Sequence, residues 1–274
     1  MVFNYKGCDI HYEIEGTCGM PVLMLHGFGC NLDLMRGCLE PAFEGRTGYR
    51  RIYVDFPGHG QSGASLDIAS SDELVSCVLA LMDELFLDEP FLVCGESYGG
   101  YIALGVICTR PDQCRGMHLI CPLTVDSLEH LDAEKPRLLV RDDEYLASLS
   151  DEERESFLMM ATRADKTVGE RFFAEDAPGF TQANPEFMAA IDENFPLSVG
   201  IDKSLSEHPF EGPSLILCGR QDSVVGYRDQ QRLIDLMPRC TYAILDIAGH
   251  NLQIEQRELM IALVHEWLDR VEKN

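Results

Sequence analysis

The 274-residue sequence predicts an α/β fold, with a mostly parallel, doubly wound sheet, an N-terminal antiparallel hairpin and an inserted helical lid. Three observations indicate this architecture. Short apolar runs alternate with helical patterns up to residue 122, the N-terminal residues alternate in polarity, and strand patterns nearly vanish between residues 123 and 209 before they resume. We therefore expect residues 1–122 and 210–274 to form the core and residues 123–209 to form a helical cap, or lid.

The first half of the chain alternates between strand and helix patterns. Residues 4–15 alternate loosely in polarity, which is typical of a hairpin with one polar face. Nearly continuous apolar runs, typical of strands covered on both faces, predict strands at 21–25, 51–55, 91–94 and 117–121. Periodic patterns predict helices at 31–43, 71–85 and 98–109. The second of these helices begins at a capping box, Ser70-x-x-Glu73.

The second half begins with the acidic, helix-rich insertion. Helices are predicted there at 142–149, 150–163, 167–175 and 184–194, with a second capping box at Ser150-x-x-Glu153. Loops that contain Pro178-Gly179 and Pro196 are expected to separate these helices. After the insertion we expect strands at 214–219 and 241–246, a helix at 227–236 between them, and a final amphipathic helix.

Charge and composition narrow the classes of partner. The chain is 46% hydrophobic and 25% charged, as is typical of a globular protein, and its net charge is −24. Nucleic acid and anionic membrane surfaces would repel such a chain, so we expect neither as a partner. No apolar run approaches the roughly 18 residues of a membrane span.

The cysteine pattern predicts a compartment. Eleven cysteines occur without a C-x-x-C pair, and most lie within apolar runs, as Cys94, Cys121 and Cys218 do. This pattern favours buried, reduced thiols over a disulfide framework. The N-terminus lacks a basic region followed by an apolar one, so no signal peptide is predicted. We therefore expect a cytoplasmic protein.

The segment Gly95-Glu96-Ser97-Tyr98-Gly99 organises the functional interpretation. It joins the apolar run 91–94 directly to a helical pattern, and a strand that turns into a helix around G-x-S-x-G is a nucleophile elbow. Glycines two positions before and after Ser97 remove side chains that would clash in so tight a turn. The alternative is a glycine-rich turn with a helix-capping serine, and the context of the motif favours the elbow.

A second glycine-rich turn, His26-Gly27-Phe28-Gly29, follows the strand at 21–25. We interpret it as an oxyanion loop in which the backbone N–H of Phe28 is one donor, and Gly27 lets the backbone approach a substrate. A plain strand-to-helix turn is the alternative. His26 is expected to hydrogen-bond at the strand end. His59, in the loop 55–62, is expected to pack locally.

Three side chains that suit nucleophilic catalysis occur at predicted strand ends in the order Ser97, Asp222 and His250. A serine hydroxyl needs a base, and a neutral imidazole accepts and returns its proton near neutral pH. A carboxylate fixes the tautomer of that imidazole and stabilises its protonated form. The backbone N–H groups of Phe28 and Tyr98 are the candidate oxyanion donors.

The sequence resembles a lidded member of the α/β-hydrolase family, in its serine-nucleophile branch. The segments that carry the resemblance are His26-Gly27-Phe28-Gly29, Asp55-Phe56-Pro57-Gly58-His59-Gly60-Gln61-Ser62, Gly95-Glu96-Ser97-Tyr98-Gly99-Gly100, Gly219-Arg220-Gln221-Asp222 and Gly249-His250. The resemblance implies catalytic roles for Ser97, Asp222 and His250, no metal, no organic cofactor, and a cap over the site. A serine at the elbow excludes the dehalogenases and epoxide hydrolases of the family, which use aspartate.

The function expected from these residues is cleavage of a small carboxylic ester or related acyl compound through an acyl-enzyme. Other possibilities stay open, namely a proline iminopeptidase-like aminopeptidase or amidase, a carbon–carbon bond hydrolase, an acyltransferase, and a ligand receptor with slow turnover. Glu96 and the acidic lid would suit a substrate cation, although elbow packing and solvated charge are the simpler explanations. The expected partner is a small acyl substrate, and the sequence leaves the oligomeric state open.

Overall fold

The computed structural model describes residues 1–125 and 131–273. An eight-stranded sheet runs through it in the order β1-β2-β4-β3-β5-β6-β9-β10. β1 pairs antiparallel with β2 and β2 antiparallel with β4, whereas the remaining pairs are parallel. The strands are β1 Val2–Tyr5, β2 Cys8–Glu15, β3 Met20–Leu25, β4 Tyr49–Val54, β5 Phe91–Glu96, β6 Cys114–Ile120, β9 Ser214–Gly219 and β10 Cys240–Leu245, with β7 Val140–Arg141 and β8 Arg163–Ala164 in a separate pair.

Helices cover both faces of the sheet. They are α1 Leu32–Phe43, α2 Ser71–Phe86, α3 Tyr98–Thr109, α4 Asp143–Ser148, α5 Asp151–Leu158, α6 Lys166–Arg171, α7 Ala177–Gln182, α8 Pro185–Glu193, α9 Ile201–Glu207, α10 Leu233–Leu236, α11 Leu252–Glu255 and α12 Arg257–Glu272. Apolar side chains of α2 and α3 belong to the core on one face, and those of α1 and α12 to the core on the other. This double coverage explains why every residue of β5 and β9 is buried. The predicted fold class is confirmed.

The N-terminal hairpin is also confirmed. β1 and β2 are joined by Lys6 and Gly7, both at positive φ (49° and 84°), as a tight two-residue hairpin turn requires. The hairpin extends the parallel sheet because β2 pairs antiparallel with β4, from Tyr12 opposite Val54 onward.

The predicted capping box at the start of α2 is only half formed. Ser70 Oγ accepts the backbone N–H of Glu73 at 3.2 Å. The Glu73 carboxylate does not return to Ser70, because it accepts hydrogen bonds from Lys6 Nζ at 2.7 Å and from the Tyr5 hydroxyl at 3.0 Å. A tertiary contact to the hairpin therefore replaces the local bond. The second predicted capping box, Ser150 with Glu153, is complete.

The chain between β6 and β9, here called the helical segment (residues 131–209), differs in detail from the predictions. The helix predicted at 150–163 ends at Leu158, since residues 163 and 164 form β8. Pro178 and Gly179 lie inside α7, which continues directly from a π-helical turn at Phe172–Asp176. The helix predicted at 227–236 consists of a short 3₁₀ turn, Asp229–Arg232, followed by α10. Residues 126–130 of the predicted lid lie outside the described residues, and the division into core and lid stays a prediction.

Two findings concern membranes and thiols. Within the described ranges, no helix combines the length and the apolar character that crossing a membrane requires. All eleven cysteines are free, and eight of them are buried.

Candidate active site

The site is built around the turn between β5 and α3. Ser97 has φ 51° and ψ −115°, in a left-handed region that side chains other than glycine rarely adopt and that costs about 1–3 kcal/mol. Hydrogen bonds hold it there, because its N–H donates to Ile120 O at 3.0 Å and its C=O accepts the N–H groups of Leu123 and Tyr101 at 3.0 and 3.2 Å. The predicted elbow is therefore present, and hydrogen bonds from β6, from the residues after it and from α3 hold the serine in place.

The flanking glycines are required by close backbone contacts. A Cβ atom on Gly95 would lie 2.3 Å from the carbonyl oxygen of Gly99, and a Cβ atom on Gly99 would lie 2.2 Å from Leu25 O. Both distances are below any tolerable contact, and the obstructing atoms belong to the backbone. The spacing of the motif thus reflects how closely α3 approaches the ends of β3 and β5.

The structure brings the three predicted side chains into one hydrogen-bonded series. Ser97 Oγ lies 2.9 Å from His250 Nε2, and His250 Nδ1 lies 2.9 Å from Asp222 Oδ2. The other oxygen of Asp222 accepts the backbone N–H groups of Val224 at 2.8 Å and Val225 at 3.0 Å. The carboxylate is therefore oriented by its own loop, and it in turn orients the imidazole toward the serine.

Three carboxylates set the electrostatics of the imidazole. Burial lowers the pKa of His250, but Asp222, Glu96 and Asp176 outweigh burial and raise the pKa to about 9. Glu96 Oε1 lies 3.5 Å from His250 Nε2, the same nitrogen that contacts Ser97. Burial would raise the pKa of Asp222, yet the neighbouring His250 and the two loop N–H groups keep that pKa below its usual value.

The loop 26–29 lies against the elbow. The Phe28 ring packs edge-on against Tyr98, with ring centroids 5.4 Å apart. Among the hydrogen bonds between described residues, none uses the backbone N–H of Phe28 or Tyr98 as donor. His26 has the structural role expected from the sequence, because its Nε2 accepts the N–H of Phe56 at 3.0 Å and its Nδ1 donates to Gly27 O at 2.8 Å.

His59 also behaves as the sequence predicts. It is fully buried, and its Nδ1 donates to Pro57 O at 2.9 Å, which fixes the loop locally. The carboxylate of Asp55 accepts the N–H groups of Leu32 and Gln61 at 2.8 and 2.9 Å. The loop 55–62 therefore supports the site without supplying a reactive side chain to it.

These groups line a cavity of about 200 Å³. The predicted residues Gly27, Phe28, Glu96, Ser97 and His250 are all in its wall. The remaining lining residues are Cys30, Leu34, Met160, Asp176, Phe180, Val224 and Asn251. A larger, more open cleft of about 550 Å³ lies at the C-terminal ends of α2 and α3 and contains none of these side chains. The sequence did not indicate the residues of the helical segment, because spacing does not reveal how that segment packs on the core.

Glu255 is another residue that sequence reasoning missed. Its buried carboxylate accepts the N–H of Gly249 at 2.6 Å, next to His250, and the N–H groups of Thr162 and Arg163 at 2.6 and 2.9 Å. The sequence Asn251-Leu252-Gln253-Ile254-Glu255-Gln256 mixes polar and apolar residues and contains no signal that singles out this glutamate. One carboxylate therefore ties the turn before His250 to the helical segment.

One group of side chains has metal-like spacing. The ligand atoms of Cys121, Asp222 and His250 lie within 4.8 Å of one another. These atoms do not suit a metal, because His250 Nδ1 and Asp222 are hydrogen-bonded together and burial raises the pKa of the Cys121 thiol well above its usual value.

A family model described as "alpha/beta hydrolase fold" matches residues 20–256. The chain belongs to the α/β hydrolase fold family. The resemblance predicted from the motifs is confirmed, and hydrolase chemistry is the activity that the family supports.

Three relatives illustrate this membership. An α/β superfamily hydrolase from Oenococcus oeni superposes with a TM-score of 0.88 and 26% identity, over 96% of each chain. A 2-hydroxy-6-oxononadienedioate/2-hydroxy-6-oxononatrienedioate hydrolase of Burkholderia vietnamiensis is 28% identical over 95% of this α/β hydrolase and 91% of its own length. The dihydrolipoyllysine-residue acetyltransferase component of the acetoin cleaving system of Pseudomonas putida is 26% identical over 90% of this chain, which spans 63% of that protein.

The elbow packing predicts a strong effect on stability. Gly99→Ala should lower the free energy of unfolding by about 3 kcal/mol or more, because the new methyl group meets the Leu25 carbonyl in a backbone that cannot yield. Gly48→Ala is the matched control, since nothing lies within 4 Å of its added Cβ. Urea unfolding of both variants measures the difference. Equal stability of the two variants would contradict the packing argument.

The charges around His250 predict the pH dependence of activity. For a site in which neutral His250 is the base, a pKa near 9 predicts that kcat/KM for a neutral ester increases between pH 7 and pH 9. Glu96→Gln removes a negative charge 3.5 Å from Nε2 and should therefore move this acidic limb to lower pH. The exposed Glu193→Gln serves as control. A wild-type limb near the ordinary histidine pKa, or one that Glu96→Gln leaves in place, would refute this electrostatic account.

Proposed function

We propose that this α/β hydrolase is a serine hydrolase that cleaves a small carboxylic ester or related acyl compound through an acyl-enzyme. The observation that carries the proposal is the continuous hydrogen-bonded series from Ser97 Oγ through His250 to the buried Asp222, opening on a cavity. A hydroxyl, a base and a carboxylate in this order are the parts that acyl transfer requires.

In the first half-reaction, Ser97 Oγ attacks the substrate carbonyl carbon and its proton passes to His250 Nε2. The imidazolium that forms is stabilised by Asp222 at 2.9 Å. The backbone N–H groups of Phe28 and Tyr98 donate to the negative oxygen of the tetrahedral intermediate. The carbon–oxygen bond to the alcohol then breaks, and His250 gives its proton to the leaving oxygen.

In the second half-reaction, water takes the place of the alcohol. His250 accepts a proton from the water as its oxygen attacks the acyl carbon. Collapse of this second intermediate breaks the bond to Ser97 Oγ, which recovers a proton from His250. The carboxylic acid leaves, and the enzyme returns to its starting state without any redox change.

The size and lining of the cavity support a small substrate. A volume of about 200 Å³ lined by Phe28, Leu34, Met160, Phe180 and Val224 suits a short, mainly apolar acyl or alcohol group. Met160, Asp176 and Phe180 belong to the helical segment. We propose that this segment, within the predicted lid 123–209, acts as a cap that excludes water and selects the acyl group.

The chemistry proposed also fits the predicted compartment. All eleven cysteines are free and only Cys18 is exposed, which supports a reducing environment such as the cytoplasm. The acidic surface favours a small-molecule substrate over nucleic acid or membrane.

Ser97→Ala tests the proposal directly. The variant should lose covalent labelling by a fluorophosphonate probe, and its kcat for p-nitrophenyl esters should fall by about 10⁴-fold or more. Intact-protein mass spectrometry measures the labelling. Ser76→Ala, which alters an exposed serine of α2, should be labelled like the wild type. Labelling of Ser97→Ala at the wild-type rate would disprove the assignment.

A substrate panel separates the remaining activities. Short-chain acyl esters and aminoacyl-arylamides, each with the wild type and Ser97→Ala, distinguish an esterase from an iminopeptidase-like enzyme. Serine-dependent turnover of the esters with little turnover of the arylamides is expected. Labelling without turnover of any ester would contradict the hydrolase and favour a slow receptor.

A further inference from the structure

Two buried carboxylates face the cavity without a partner suited to them. Glu96 and Asp176 are each 2% exposed, and both line the wall that contains Ser97 and His250. Neither side-chain oxygen of Asp176 has a partner at hydrogen-bond distance, although the nearby Gln253 side chain lowers the pKa of this carboxyl. Within the described residues, Glu96 has one ion pair, its 3.5 Å contact with His250 Nε2. The same nitrogen is already hydrogen-bonded to Ser97 Oγ at 2.9 Å.

Neighbouring acids of the same region are satisfied. Asp222 accepts two backbone N–H groups and the His250 N–H, and Glu255 accepts three backbone N–H groups. Glu175, adjacent to Asp176 in sequence, accepts from Arg171 at 2.6 Å. Burying a carboxylate without compensation is strongly destabilising. Asp176 has unpartnered oxygens and Glu96 has one long ion pair, so both carboxylates are poorly compensated.

The protein's own cations do not compensate them. The lining residues in the described part of the chain include neither lysine nor arginine. Arg171 is near enough to lower the pKa of Asp176, but its guanidinium bonds to Glu175 and to Gly37 O. Burial therefore prevails and raises the pKa of Asp176 to about 7 and that of Glu96 to about 8. A positive group that enters the cavity would stabilise the charged form of both carboxylates.

The other residues that line the cavity indicate which kind of cation would bind there. Phe28 and Phe180 offer aromatic rings, which attract an ammonium group, and Leu34 and Met160 offer apolar contact for an alkyl chain. The cavity of about 200 Å³ leaves room for a short chain only. A protonated amine fits this combination better than a metal ion, because it donates hydrogen bonds to the unpartnered oxygens and carries carbon atoms for the apolar wall.

We infer that Glu96 and Asp176 form a cation subsite beside Ser97, and that the substrate is a small ester that carries a protonated amine. This inference rests on the proposed ester hydrolysis and names the substrate class of the same site. Glu96 and Asp176 bind the amine and determine specificity, whereas Ser97 and His250 carry out the exchange of bonds.

Pairs of isosteric esters test the inference. Methyl β-alaninate and methyl butanoate differ only in an ammonium against a methyl group, as do methyl 6-aminohexanoate and methyl heptanoate. We expect the wild type to show the higher kcat/KM for the cationic member of at least one pair, measured by methanol release at pH 7.5. Two chain lengths are used because the distance from Ser97 to the amine sets which ester fits.

Variants isolate the contribution of the carboxylates. Asp176→Asn and Glu96→Gln should each lower the cationic-to-neutral ratio of kcat/KM by about tenfold or more. Because the ratio is compared between enzymes, it cancels both the intrinsic reactivity of the esters and any effect on His250. Glu170→Gln is the control, since this exposed glutamate of the helical segment does not line the cavity, and it should leave the ratio within about twofold.

A binding measurement covers the case in which a variant turns over poorly. n-Butylammonium should slow fluorophosphonate labelling of Ser97 in the wild type at concentrations where n-butanol does not, and Asp176→Asn should abolish this difference. Ester turnover and labelling with a ratio that neither variant changes, or equal protection by both compounds, would overturn the cation subsite alone. Absence of labelling and of turnover with every ester would instead overturn the proposed function on which the subsite rests.

Discussion

The positive φ of Ser97 is the constraint on which the rest of the site depends. The strain is maintained because strand β6, the start of α3 and the residues after β6 all hydrogen-bond to the backbone of that one residue. The geometry directs Oγ out of the sheet, at the N-terminal end of a twelve-residue helix whose dipole favours negative charge. Loosening any of these contacts would relax the serine toward ordinary backbone angles and away from His250.

Three buried carboxylates, Glu96, Asp176 and Asp222, lie near this strained turn. Asp222 is held by backbone N–H groups and keeps its charge, so it acts on the imidazole through a fixed geometry. Glu96 and Asp176 lack such support, and burial raises their pKa values. Buried carboxyls of one site therefore have pKa values shifted in opposite directions, because backbone N–H groups stabilise the charge of Asp222 and not that of the other two.

The sequence was sufficient for the features that depend on local order along the chain. Ser97, Asp222 and His250 each follow a strand, and parallel strands end at one edge of a sheet, so their convergence could be predicted. Asp176 could not, because the segment 172–176 is a π-helical turn whose orientation depends on tertiary packing. Glu73 shows the same limit, since its local pattern predicted a bond to Ser70 whereas the folded chain gives its carboxylate to Lys6 and Tyr5.

Glu255 bonds to the turn before His250 and to residues 162 and 163 of the helical segment at once. The position of His250 and the attachment of the helical segment therefore depend on the same carboxylate. A chimera with this segment taken from another α/β hydrolase would need backbone N–H groups at the positions of residues 162 and 163. Without them, a change intended only for the cavity wall would also displace His250. Substitutions of Asp176 or Phe180 would instead change the cavity wall without removing the backbone groups that bond to Glu255.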